Sequence, residues 1–142
     1  MLNGEEAMFD FDVNIGLNEI SPLCFAYIGD AVYELYIRTM LAKDGNIPVS
    51  KLHKAAIHFV KAKAQSDTIH FLEPYLTEEE IKIYKRGRNA KSPTSAKNAD
   101  IIDYRHATGF EALIGYLYLK KDFKRLDEIL KKCLEQHAEN NK

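Results

Sequence analysis

The sequence predicts an all-α protein, a helical bundle. Apolar residues recur at threes and fours along nearly the whole chain, no alternating strand pattern of useful length occurs, and helix start and stop signals punctuate the periodic stretches. With 142 residues, 46% hydrophobic and 29% charged, the chain is one domain's worth and long enough to bury a core. Seven glycines and four prolines exclude collagen-like and low-complexity architectures.

Residues 1–20 read as an acidic arm, with Glu5, Glu6, Asp10, Asp12 and Glu19 and no basic residue. An arm without a positive start is not a signal peptide. No run approaches the ~18 apolar residues of a membrane span, so a cytoplasmic protein is expected. The domain proper is expected over 21–137. Its first helix runs from Pro22 to Lys43, capped by Ser21, with proline at a position where its missing N–H is harmless. Leu23, Ala26, Ala31, Val32, Leu35 and Thr39 supply the stripe, and Gly45 and Pro48 close the segment. A second helix follows Ser50 with Leu52, Ala55, Ala56, Phe59, Ala62 and Ile69, broken at Glu73-Pro74. Thr77 to Glu80 is a capping box that opens a short helix stopping at Gly87. A polar loop spans Arg88 to Asp100, long enough to suspect function. The next helix ends at Leu119 and uses Tyr104, Ala107, Phe110, Leu113, Ile114 and Leu117. The last starts at Asp122 and uses Phe123, Leu126, Ile129, Leu130, Cys133 and Leu134. The polar end from Glu135 is expected to fray, with 138–142 as tail. Cys24 and Cys133 read as small buried hydrophobes, since zinc spacing is absent.

Chemistry is suggested by two carboxylates in apolar surroundings. Asp30 lies in Leu23-Cys-Phe-Ala-Tyr-Ile-Gly-Asp-Ala-Val-Tyr-Glu34, and Glu111 in Gly109-Phe-Glu-Ala-Leu-Ile-Gly-Tyr-Leu-Tyr-Leu119. An ionised carboxylate near a core needs a cation or hydrogen-bond donors. Spacing alone leaves two readings open. Either the acids are structural, paired with Arg38 or Arg105 or simply reaching water from a helix face, or they face each other across packed helices and hold Mg²⁺, a hard cation that takes one or two carboxylates and keeps its waters. Glu34 shares the helix face of Asp30. Gly29 and Gly115 are unfavourable inside helices, which points to close helix–helix approach at the same place.

The chain's 20 basic and 21 acidic residues nearly cancel, yet they are unevenly spread. Lys82, Lys85, Arg86, Arg88, Lys91 and Lys97 fall between Ile81 and Ala99 with no acid among them. Lys51, Lys54, Lys61 and Lys63 fall between Lys51 and Ser66, again without an acid. Local cationic segments of this kind bind phosphate backbones. Neither a Walker loop nor a dinucleotide-binding glycine motif is present.

Ala26-Tyr-Ile-Gly-Asp-Ala-Val-Tyr-Glu34 resembles the signature helix of ribonuclease III, and Phe110-Glu-Ala-Leu-Ile-Gly-Tyr-Leu-Tyr-Leu119 resembles that family's second acidic motif. Lys85-Arg-Gly-Arg-Asn-Ala-Lys-Ser92, followed by Lys97-Asn-Ala-Asp100, is similar to the short branch called Mini-ribonuclease III, which has no double-stranded-RNA-binding domain. The resemblance implies a ribonuclease III-like endonuclease domain with Asp30 and Glu111 as catalytic and Mg²⁺-binding residues. It implies that Lys85, Arg86, Arg88, Asn89, Lys91 and Lys97 contact RNA. Two further acidic positions of the ordinary enzyme are Ala26 and Thr108 here. The implied activity is Mg²⁺-dependent cleavage of double-stranded RNA in precursor large-subunit (23S) ribosomal RNA, leaving 5′-phosphate and 3′-hydroxyl ends. The implied partners are a second copy of the chain and, on the RNA, a ribosomal protein. The alternative is a non-catalytic helical RNA-binding or ribosome-associated protein, favoured by Ala26 and Thr108.

Overall fold

Ten of the eleven residues from Ala107 to Leu117 are buried, and the exception is Glu111. A helix apolar on every side belongs at the centre of a bundle. Helix α5 (Asp100–Leu119) is that centre, with α1 (Pro22–Ala42), α3 (Ala62–Leu72) and α4 (Glu78–Asn89) packed around it. Helices α2 (Val49–Val60) and α6 (Phe123–Asn140) complete the fold. The computed structural model describes residues 8–91 and 100–140, and among these there is no strand.

The Ser21 hydroxyl accepts a hydrogen bond from the Cys24 N–H at 3.1 Å and starts α1 one residue before Pro22. This helix buries Phe25, Ala26, Gly29, Tyr33 and Ile37. The expected stripe is only partly right. Ala31, Thr39 and Leu35, the last 51% exposed, lie on the other side. Helix α1 carries two apolar faces, so periodicity alone does not say which one meets the core. Cys24 is likewise exposed, while Cys133 is buried as expected.

The contact between α1 and α5 is made of backbone. A Cβ on Gly29 would collide with the Glu111 carbonyl oxygen, and one on Gly115 with the Phe25 carbonyl oxygen. On either side the seam is closed by edge-to-face rings, Phe25 on Tyr116 at 5.5 Å and Tyr33 on Phe110 at 4.9 Å. Each such pair adds about 0.5–1.5 kcal/mol beyond its buried area.

The single helix expected after Ser50 is two. Lys61 is extended (φ −64°, ψ 154°) and separates α2 from α3 without a proline or glycine. The Thr77 capping box forms in full: the Thr77 N–H donates to Glu80 at 2.9 Å, and the Glu80 N–H to the Thr77 hydroxyl at 3.1 Å. Gly87 does not stop α4, which runs on to Asn89. Its missing side chain serves packing instead, since a Cβ there would lie 2.7 Å from the Ala112 Cβ and 2.9 Å from the Gly109 Cα. The expected loop therefore begins after Arg88 and Asn89, and its residues 92–99 lie outside the described residues. Nor does the chain fray at Glu135. Helix α6 continues to Asn140, and buried Gln136 accepts a hydrogen bond from the Thr68 hydroxyl at 3.0 Å. Of the expected tail, residues 141–142 lie outside the described residues.

Candidate active site

The glycine contact fixes where Asp30 and Glu111 stand. Asp30 follows Gly29 directly, and the Glu111 carbonyl is the group that Gly29 touches. The two carboxyl groups lie within hydrogen-bonding reach of each other. Asp30 is exposed, and Glu111 sits behind it, half-buried. Two acids are thus pressed together by backbone packing.

The electrostatic result falls on Glu111. Burial, the neighbouring Asp30 charge and the shared hydrogen bond push its carboxyl from 4.5 up to about 8, with Glu34 adding a smaller push and Gln65 opposing. Among the described residues no lysine or arginine pairs with either acid. Arg38 is engaged by Glu34 at 3.1 Å, and Arg105 is exposed. Neither of the two expected partners, Arg38 and Arg105, pairs with these acids. Such a pair of hard oxygen donors, electrostatically unbalanced and open to solvent through Asp30, suits a divalent cation that retains waters. Among the described residues no group of three or more His, Cys, Asp or Glu could hold a metal ion, so a cation here would rest on two carboxylates and its own waters. The buried Thr108 hydroxyl donates to the Tyr104 carbonyl of its own helix at 2.9 Å, and Ala26 is buried at the seam.

Gln65 belongs to this site, and sequence reasoning missed it. Its amide nitrogen donates to Glu111 at 3.3 Å and to the Val60 carbonyl at 2.8 Å. One signal was available. Gln65 falls between Ala62 and Ile69 in the apolar stripe of its helix, where a polar side chain needs a partner.

The cationic residues form a looser group. The last turns of α4 press on α5 beside Thr108, Gly109 and Ala112. Lys85, Arg86, Asn89 and Lys91 are exposed there. Arg88 is half-buried instead. Its guanidinium lies 5.6 Å from the centre of the Tyr84 ring, and its Nε donates to Asn89 at 3.0 Å. Lys97 lies outside the described residues.

A helical bundle centred on one apolar helix, with a carboxylate pair at a glycine seam, defines a class, and the sequence agrees. The ribonuclease III domain model matches residues 24–122. A Fusobacterium nucleatum protein of known crystal structure superposes with a TM-score of 0.71 at 33% identity, covering 80% of this chain and 92% of that one. The Mini-ribonuclease 3 of Clostridium tetani is 56% identical over 126 residues, which is 88% of this chain and 83% of the relative. That of Enterococcus faecalis is 48% identical over 125 residues, 87% of this chain and 95% of the relative. The chain belongs to the ribonuclease III family, and within it to the Mini-ribonuclease 3 branch. It is accordingly an endoribonuclease, a hydrolase.

Proposed function

We propose that the chain cuts double-stranded RNA with Mg²⁺ held by Asp30 and Glu111, as a homodimer, in the maturation of precursor 23S ribosomal RNA. The observation that supports this best is the convergence of the two carboxylates with no paired cation. Mg²⁺ bound there would supply an activated water and stabilise charge on the scissile phosphate. Glu111, whose carboxyl is held protonated by burial and by Asp30, would have to lose that proton to serve as a ligand. Asp30, the exposed member, faces the solvent from which the phosphate arrives. Lys85, Arg86, Arg88, Asn89 and Lys91 hold neighbouring phosphates, Arg88 with its guanidinium resting over the Tyr84 ring. Such contacts favour recognition of A-form shape over base sequence. Cleavage leaves a 5′-phosphate and a 3′-hydroxyl. Among the described residues no helix is long and apolar enough to cross a membrane, in keeping with a cytoplasmic enzyme.

The second apolar face of α1 supports the homodimer. Tyr27 is 79% and Leu35 51% exposed, beside an apolar groove of about 680 Å³ lined by Ile28, Val32, Tyr36, Tyr118 and Phe123 among others. Contiguous exposed apolar surface of this kind marks an interaction site. A second copy covering it would bring two Asp30 helices to one interface, one site for each RNA strand.

The test is a long RNA duplex incubated with purified protein and Mg²⁺. Asp30→Asn and Glu111→Gln should each slow cleavage by about 10³-fold, the worth of several kcal/mol of charge stabilisation. Both variants should sediment as dimers and still shift the duplex on a gel. Wild-type rates in both would overturn the assignment. A wild-type protein that binds the duplex with Mg²⁺ and leaves it whole would favour the non-catalytic alternative.

A further inference from the structure

Gln65 is 2% exposed, and every hydrogen-bonding atom of its amide can be followed. Helix α2 ends at Val60, whose carbonyl is one of the acceptors a helix terminus leaves unmet. The extended Lys61 then turns the chain so that Gln65, on the first turn of α3, reaches back to that carbonyl at 2.8 Å. The second amide hydrogen goes to the Glu111 carboxylate at 3.3 Å. The Val60 carbonyl settles the orientation of the amide, because it can only accept and rotating the amide would set oxygen against oxygen there. The remaining atom, Oε1, is buried and has no donor among the described residues. A buried acceptor left open in this way is unfavourable unless a water, an ion or a ligand brings the donor.

We propose that Gln65 is a positioning residue of the site. Its amide nitrogen holds the Glu111 carboxylate toward Asp30, anchored on the α2 terminus, and its Oε1 accepts a hydrogen bond from a water that enters when the divalent cation binds. This rests on Asp30 and Glu111 being the cation's ligands. A carboxylate on a flexible two-carbon stem needs such a brace, and groups bonded to ligands in this way tune affinity as well as orientation. Besides the hydrogen bond that Glu111 shares with Asp30, the Gln65 amide is its side-chain partner, reaching it from a third helix.

The experiment uses the full-length protein without RNA. Mg²⁺ is titrated into it by calorimetry, and the Gln65 side-chain amide is followed by ¹H–¹⁵N NMR in the same range. The amide signal should move with the calorimetric midpoint. Gln65→Leu should weaken Mg²⁺ binding by about 10- to 100-fold. In the cleavage assay it should lower kcat while the KM for the duplex stays within about twofold, since the substrate's own contacts are intact. Gln65→Met, which keeps volume and flexibility, gives the same reading if the leucine variant unfolds. Mg²⁺ affinity unchanged in the folded variant, or an amide signal that stays still while the wild type binds Mg²⁺, overturns the proposal. A wild type that binds no Mg²⁺ overturns the cation reading itself, and the brace with it.

Discussion

Two glutamates of this protein are largely enclosed, and they meet opposite surroundings. Glu80 lies in the first turn of α4, 4% exposed. Burial alone would raise its carboxyl, but Arg125 donates to both of its oxygens at 2.8 Å and the Thr77 N–H to one at 2.9 Å, and the net effect holds it below its ordinary value. Arg125 also donates to the Tyr75 carbonyl at 2.8 Å, so the pair ties α4, α6 and the turn between α3 and α4 into one unit. Glu111 has the reverse: an acid for a neighbour, one amide donor and no cation. A charge needed for architecture is neutralised within the fold. The imbalance around Glu111 has no such purpose in a bundle, and it is the state expected of a group that waits for a ligand.

The sharpest way to break this contrast is to strip Glu80 of its cation. Arg125→Ala should destabilise the fold by about 3 kcal/mol or more, because it strands a buried carboxylate. Urea denaturation followed by circular dichroism measures it, and a change under about 0.5 kcal/mol would class the pair with exposed salt bridges. The opposite is expected at the other glutamate. Glu111 has its folded pKa raised from 4.5 to about 8, so its contribution to stability is full below pH 4.5 and is lost as pH rises through about 8. Metal-free protein should therefore weaken over that interval by roughly a few kcal/mol from this group. Glu111→Gln should flatten the slope, leaving the variant more stable than wild type at pH 8. Thermal melts of both proteins across pH check the sign. Glu80, with its pKa lowered, acts at the acid end: its contribution is present above the unfolded value and disappears as pH falls. The smallest effect belongs to the exposed cations. Arg86→Ala should weaken duplex binding uniformly across sequences and reduce the salt dependence by about one unit of slope. An unchanged slope would assign Arg86 to the fold.

Much of the site was legible in the sequence, because its residues break local rules. Two acids in apolar helices and two glycines inside helices are each unfavourable alone, and the structure puts all four at one seam. The caps at Ser21 and Thr77 were legible for the same kind of reason, as side chains that satisfy their own backbone. Other features left little trace. The break at Lys61 uses an ordinary residue in an extended conformation, with no Gly or Pro to announce it. The buried face of α1 could not be read off, since Leu35 and Ala31 are as apolar as the Phe25 and Ile37 that enter the core. Gly87 looked like a helix terminator because glycine often is one; what decides its role is the nearness of Ala112, a contact between residues far apart in sequence. The packing of Arg88 on Tyr84 left no trace either, since its sequence neighbours are exposed cations.

Where α1 crosses α5, main chain rests on main chain. The spacing between positions 30 and 111 is therefore indifferent to the girth of side chains elsewhere. Hydrophobic positions of α6, which carries neither acid nor the Gln65 brace, can be redesigned for heat resistance without moving the paired acids. A single methyl group at Gly29 or Gly115 would act as a wedge and prise them apart.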